Sequence, residues 1–587
     1  MKTMETEKLL EDFPPVSTTE WQAAIARDLK GADPEKRLVW RTNEGLGVKP
    51  FYRAEDLAGL ACVDTTPGSF PYRRGVRSTG GWRIREEIDA TDAEEANRMA
   101  CAAVAAGAEG IACSRLLVES TGELEVLLRN LDEIPVHFER AGEPLLQMLI
   151  KRRNGTPRAA EISTGCEALA SVGFAAETIW AAPAWLIPFT IHGAAFADAG
   201  ATAVEEAGLA LAAGVDFLAA LAERGVDANR AAAALEFSFA VGSNYFFEIA
   251  KFRAFRMLWA RAVESFGGTH EAARGRIAVH TSKWNKTVYD PHVNTLRATT
   301  EAMAAVLGGA DAVMVTPFDA CYGTPDEASR RLARNTQLLL KHEAWLGRVA
   351  DAGGGSYALE TITNFLARAS WRVFQDIEAR GGFRRAQAEG MIARALERSL
   401  AAREQAVALR RRVLVGTNQY ANPAERALGR SDEERMKADL RGARAYEELR
   451  LRTERHAAAG GKTPRVLLAE IGDVKMRAAR SGFARNFFAC AGFEMQTRRF
   501  KKAEEIAAAS ADLIVLCSAD AEYAALAPAL LAQLTALGSK TPVMVAGNPE
   551  NAEELRATGI ADSVHVRSQP LEFLAKWQEQ LRIRSES

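Results

Sequence analysis

Between about residues 46 and 365, short apolar runs alternate with Ala-rich stretches of helical period. The runs 110–113, 185–191, 235–241, 277–280 and 312–315 read as buried strands. Helical stretches at 201–213, 245–266 and 292–307 precede or follow the later runs. Strand–helix alternation sustained over this length predicts an α/β fold, a TIM-like (β/α)8 barrel, although periodicity alone leaves an open sheet possible. Before it, residues 1–45 read as an N-terminal arm. Trp21, Ala24, Ile25 and Leu29 recur at helical spacing, and Gly31 can end the helix. Residues 366–461 carry almost no strand signal and read as a helical linker. Within it, the run Arg410-Arg411-Arg412 reads as solvated helix face, given the acids interspersed around it. From 462 to 587 the alternation resumes. Runs at 466–469, 513–517, 543–546 and 563–566 predict a flavodoxin-like parallel sheet. No P-loop or dinucleotide fingerprint stands at a strand-to-helix junction.

Composition narrows the function classes. At 587 residues the chain needs more than one core. Its 48% hydrophobic and 26% charged residues are ordinary for a globular protein, and a net charge of -2 gives no field for nucleic acid or an anionic membrane. The seven cysteines have no CxxC spacing, so free buried thiols are expected rather than zinc ligands or disulfides. The eight histidines are dispersed without the i, i+4 helical pairing of a zinc site, so no metal is expected. The acidic start lacks an apolar signal region, and the apolar stretch 168–197 is interrupted by Glu177, Pro183, Pro188 and His192. No membrane span is predicted, and the cytoplasm is the expected location.

Several segments resemble the methylmalonyl-CoA mutase family. They include Trp284-Asn285-Lys286-Thr287-Val288-Tyr289-Asp290-Pro291, Thr299-Thr300-Glu301-Ala302, Ala333-Arg334-Asn335-Thr336-Gln337 and Gly354-Gly355-Ser356-Tyr357. Phe247-Glu248-Ile249-Ala250-Lys251-Phe252-Arg253 and the arm from Trp21 to Gly31 also match, so the likeness runs in family order over nearly the whole chain. It implies an acyl-CoA-binding barrel followed by a cobalamin-binding-type domain, and a radical carbon-skeleton rearrangement started by adenosylcobalamin.

The resemblance fails where the chemistry sits. Catalytic chains carry Trp-Thr-Ile-Arg-Gln-Tyr; here the segment is Trp82-Arg83-Ile84-Arg85-Glu86-Glu87, with Glu87 at the Tyr position. The His of the family's Ser-Gly-Tyr-His becomes Ala195, with His192 three residues upstream. The CoA-contacting Arg-x-Ser strand reads Ala234-Leu235-Glu236, and the His-Cys-Gln-Thr-Ser segment reads Ala278-Val279-His280-Thr281-Ser282, with His280 at the Gln position. In the C-terminal domain Asp-x-His-x-x-Gly reads Asp473-Val474-Lys475-Met476-Arg477-Ala478. Lys475 is an ammonium where cobalt needs a lone pair. Ser518 remains of the family's Ser-x-Leu, Asp520 replaces its Leu, and Ala546-Gly547 stands for the paired glycines. Met476 to Phe483 can continue as helix straight from the turn.

The resemblance therefore implies a small, non-catalytic subunit that forms a heterodimer with a methylmalonyl-CoA mutase large, catalytic subunit. No catalytic residue, substrate contact or metal is expected in this chain, and adenosylcobalamin is expected in the partner. Two alternatives stand beside it: an independently active acyl-CoA mutase with an altered site, and a regulatory or scaffold binding protein.

Overall fold

The computed structural model describes residues 15–152, 160–429, 434, 436 and 440–583. Nine parallel strands form its main sheet, in the order Leu186–Ile187, Ile162–Thr164, Val136–Phe138, Gly110–Cys113, Arg83–Ile88, Ala312–Met314, Arg276–Thr281, Leu235–Val241, Phe189–His192. The first and last members are consecutive in the chain and are separated only by Pro188. Proline has no N–H to continue a ladder, so one line of chain is assigned as two strands. Beyond the break, Thr190 N donates to Cys166 O at 2.9 Å and Ala168 N to Thr190 O at 3.2 Å. These bonds bring the two edges together into a nearly closed barrel, consistent with the TIM-like prediction.

Alternation along each strand sets what faces the lumen. In Arg83–Ile88 the buried Ile84 and Ile88 belong to the outer core, and outward-facing Glu86 pairs with Arg334 of the helix Glu327–His342 at 2.7 Å. Arg83, Arg85 and Glu87 therefore point inward. The helices Ala203–Ala222, Tyr245–Ser265 and Tyr357–Glu378 pack outside. Tyr357–Glu378 runs through the boundary drawn at 365/366, and its Leu359, Ile362 and Leu366 share the barrel's core. Its Glu360 is fully buried, 2.6 Å from Arg73 and from Arg253. The start of the helical segment is thus part of the barrel's outer layer.

The second sheet has five parallel strands in the order Glu494–Arg499, Arg465–Glu470, Leu513–Cys517, Val543–Ala546, Asp562–Val564. Val466, Leu468 and Val515 pack on one face with Phe487, Phe488 and Trp577, while Leu467, Ala469, Ile514 and Leu516 pack on the other with Tyr523 and Leu530. The helix Arg444–Ala458 joins the two units. Its Tyr446 and Leu449 enter the second core, and its Glu447 accepts the Val288 N–H at 2.8 Å. Its Glu454 accepts the Tyr289 hydroxyl at 2.9 Å. Among the described residues no helix is long and apolar enough to cross a membrane.

Candidate functional site

The barrel lumen is filled by this chain's own charges, arranged in tiers by the two-residue repeat of inward positions. At the N-terminal end, Glu161 lies 3.0 Å from Arg83 and 3.6 Å from Arg276. One tier higher, Arg85 meets Glu236 through two hydrogen bonds of 3.1 and 3.2 Å. Two intervening strands separate their strands in the sheet, so the pair reaches across the lumen. From a further wall, His137 Nδ1 lies 3.5 Å from Glu236 and 2.8 Å from Ser163 Oγ. Burial acts to raise the Glu236 pKa, but Arg85 and then His137 outweigh it and bring the carboxyl down to about 2. The third tier, at the C-terminal mouth, holds Glu87, Glu139, His192 and His280. Glu139 accepts from His137 Nε2 at 3.1 Å, and this bond holds its pKa at about 2. Burial pushes the Glu87 carboxyl up.

The structure gathers some of the sequence-predicted positions and disperses others. Arg85 and Glu236 meet, and Glu87 and His280 share the mouth. His192 is tied back by a 2.9 Å contact from Nε2 to the Gly165 carbonyl. Ala195 is exposed on the helix Gly193–Asp198. Ala234 precedes the strand Leu235–Val241 at its N-terminal end, buried and away from the mouth. Sequence reading passed over His137, Glu139 and Ser163. The signal available for them was two short runs with polar inward positions, each only three residues long.

The second candidate site is the C-terminal edge of the five-stranded sheet, where ligands of such sheets bind at the point of reversed strand order. Asp473 caps the helix Val474–Ala489, accepting the Met476 N–H at 2.7 Å, so the chain turns helical at once. Lys475 and Ala478 lie exposed on its first turns. Across the crevice Ser518 is fully buried, its Oγ 2.8 Å from the Ile471 carbonyl oxygen and its proton directed to the closer Glu522 carboxylate. The Glu522 carboxylate then gathers the Ser518 hydroxyl with the N–H groups of Asp473 and Ala519, the latter two at 3.2 Å. Arg480 of the first helix pairs with Asp520 at 3.0 Å, and this pair lies against Gly547 closely enough that a Cβ there would overlap Asp520 Oδ1. This edge does not fit a cobalamin held through an imidazole. The ligating position carries an ammonium, and internal hydrogen bonds and an ion pair close the crevice. Among the described residues no group of three or more His, Cys, Asp or Glu is placed to hold a metal ion.

Fold and sites together define an α/β barrel chain with an appended parallel-sheet domain, its internal cavities crossed by ion pairs. The family model for methylmalonyl-CoA mutase matches residues 41–118 and 174–471, more than half of the chain. The chain belongs to the methylmalonyl-CoA mutase family. It is similar to a methylmalonyl-CoA mutase small subunit of Porphyromonas gingivalis, 38% identical over 99% of this chain and 100% of that one. A methylmalonyl-CoA mutase small subunit of Streptomyces virginiae is 33% identical over 93% of this chain and 94% of its own length. A large subunit from the same organism is 30% identical over 78% of this chain and 69% of its own length.

Proposed function

We propose that this chain is the non-catalytic small subunit of a heterodimeric, adenosylcobalamin-dependent methylmalonyl-CoA mutase. Its large subunit would hold the cofactor and interconvert methylmalonyl-CoA and succinyl-CoA, in the cytoplasm and in propionate metabolism. The observation that carries this reading is the Arg85–Glu236 pair across the barrel lumen, with His137 against it. An acyl-CoA entering that lumen would have to break a buried, hydrogen-bonded ion pair, which costs about 3–5 kcal/mol for the partner left behind. The order of the second sheet is the one found in flavodoxin-like domains, which supports reading it as a cobalamin-type domain that has lost its ligand position. The role left to the chain is to stabilise and order its partner, which binding does by mass action without local chemistry. The names of the two kinds of relative, small and large subunit, supply the partner's class.

The test is co-expression of this chain with and without a mutase large subunit, reading cobalamin absorbance and turnover of methylmalonyl-CoA. Cobalamin and activity are expected only in the 1:1 complex. Stoichiometric cobalamin and turnover from this chain alone would refute the proposal and favour an independent mutase with an altered site. A chain that neither associates with a large subunit nor changes its activity would point instead to a scaffold or regulatory protein.

A further inference from the structure

A cavity of about 590 Å³ lies off the barrel axis, separate from the lumen charges and from the C-terminal sheet. Its walls come from the N-terminal hairpin around Thr42, the ends of the strands Leu235–Val241 and Arg276–Thr281, and the helix Met391–Ala408 with the residues after it. Arg403 and Arg412 stand in its wall. The 410–412 run, expected as solvated helix face, lies beyond the helix, which ends at Ala408; Arg411 is exposed and Arg412 is half-buried in the cavity wall.

Neither guanidinium has a carboxylate within ion-pair distance among the described residues. Arg403 Nη1 donates to the Ala201 carbonyl at 3.1 Å, and its guanidinium lies 4.2 Å over the buried Trp284 ring. Arg412 Nη2 donates to Ser243 Oγ at 3.0 Å. Burial pushes the pKa of both down, that of Arg403 to about 10, and each charge also opposes the other in Arg403's surroundings. Both remain cations at neutral pH. Glu44 and Glu248 in the same walls act on both arginines through space without contacting either. Lys251 takes Glu206 and Glu248 at 2.5 and 2.6 Å. Burial pushes the Glu44 carboxyl up, against the pull of Arg412. Asn285, 2% exposed, also lines the cavity; its Nδ2 donates to Glu301, and its Oδ1 has no hydrogen-bond partner. Half-buried cations without a direct ion pair can take an anionic ligand, and a buried acceptor left unpaired is costly.

We propose that this cavity binds a small organic anion, a phosphate or carboxylate seated between Arg403 and Arg412. The volume is in the range of small-molecule sites at the C-terminal face of such barrels. Arg403 and Arg412 supply charge-assisted donors, and the Trp284 face keeps the Arg403 fork in place. The site is independent of whether this chain assembles with a catalytic partner.

The experiment is titration of the full chain with inorganic phosphate, glycerol 3-phosphate and malate against sodium chloride of equal ionic strength, followed by thermal unfolding and calorimetry. A saturable rise in Tm is expected with at least one probe. Response to the phosphates alone identifies a phosphate site, and response to malate alone a carboxylate site. Arg403→Met and Arg412→Met are expected to weaken binding ~10-fold or more. Thr42→Asp, on the hairpin, supplies a resident carboxylate and is expected to abolish the response without touching either arginine. No response to any probe beyond that to chloride, or a response that survives all three substitutions, overturns the proposal.

Discussion

Glu236 shows how one residue decides what a barrel can admit. It is 3% exposed, and its carboxylate persists there only because Arg85 and His137 outweigh burial and hold its pKa at about 2. A carboxyl with a lower pKa folded than unfolded adds stability above its unfolded value, ~4.3, and loses it as the pH falls from there through the folded value. Glu236→Gln is therefore expected to destabilise the chain by about 3–5 kcal/mol at pH 7, the cost of stranding one partner of a buried pair. The gap to the parent should narrow as pH drops from ~4 towards ~2. Urea denaturation at stepped pH measures this, and a gap that stays constant through the acid range would show that the carboxylate's charge is irrelevant. Replacing both partners, Arg85→Met with Glu236→Met, should recover most of the loss. The pair was not legible in the sequence because its partners are 151 positions apart. Sequence could mark Glu236 as an odd residue on an inward strand, but only closure of the barrel reveals Arg85 as its counter-ion. The place of Arg412 in a cavity wall was not legible for the same reason: a local run of like charge says nothing of the wall that distant segments build around it.

At the scale of the element, local signals worked where a segment carries its own period or cap. The strands Gly110–Cys113, Leu235–Val241 and Leu513–Cys517 match their apolar runs residue for residue. The helix expected from Met476 onward exists and begins two residues earlier, because Asp473 caps it. The strand Glu494–Arg499 was missed, since an edge strand with mostly exposed, polar side chains has no buried face to announce it. The break at Pro188 shows the reverse case, one apolar run that a single missing N–H divides in two. The capped helix carries a prediction of its own. Lys475→His, alone or with Ala478→Gly, restores the ligand sequence but leaves Glu522 and the Arg480–Asp520 pair in the crevice. The isolated variant is expected to elute from gel filtration free of added hydroxocobalamin; stoichiometric uptake would mean that the crevice opens readily and the lost imidazole alone decides binding. Asp473→Ala should cost ~1 kcal/mol through loss of the cap, seen as earlier unfolding of the C-terminal domain in urea.

Across the whole molecule, the barrel and the C-terminal sheet are locked together, whereas the N-terminal arm is not locked to either. Glu447 and Glu454 are both buried on the joining helix and accept hydrogen bonds from the barrel loop at Val288 and Tyr289. In contrast, the arm helix Thr18–Asp28 buries none of its residues. It has a capping box from Ser17 and Glu20, and Trp21, 43% exposed, stacks on Phe51 at 5.1 Å. Beyond that stack, its ties to the chain include Thr18 to Glu55 and Arg53 to the Val16 carbonyl, both at 2.8 Å and exposed. A helix of 11 residues is marginal without a surface to cover its apolar side. An amphipathic helix that its own chain leaves uncovered suits the partner-binding role proposed above. Removing residues 1–32, which spares the hairpin at Thr42, is therefore expected to change the urea midpoint of this chain little, by ~0.5 kcal/mol or less. The same deletion should weaken association with a mutase large subunit ~10-fold or more, since a Trp anchor at an interface contributes about 2 kcal/mol or more. Analytical ultracentrifugation of the pair and denaturation of the single chain separate these effects. Undiminished association would remove the arm from the interface, and a large fall in the chain's own stability would show that the arm belongs to the barrel's fold instead.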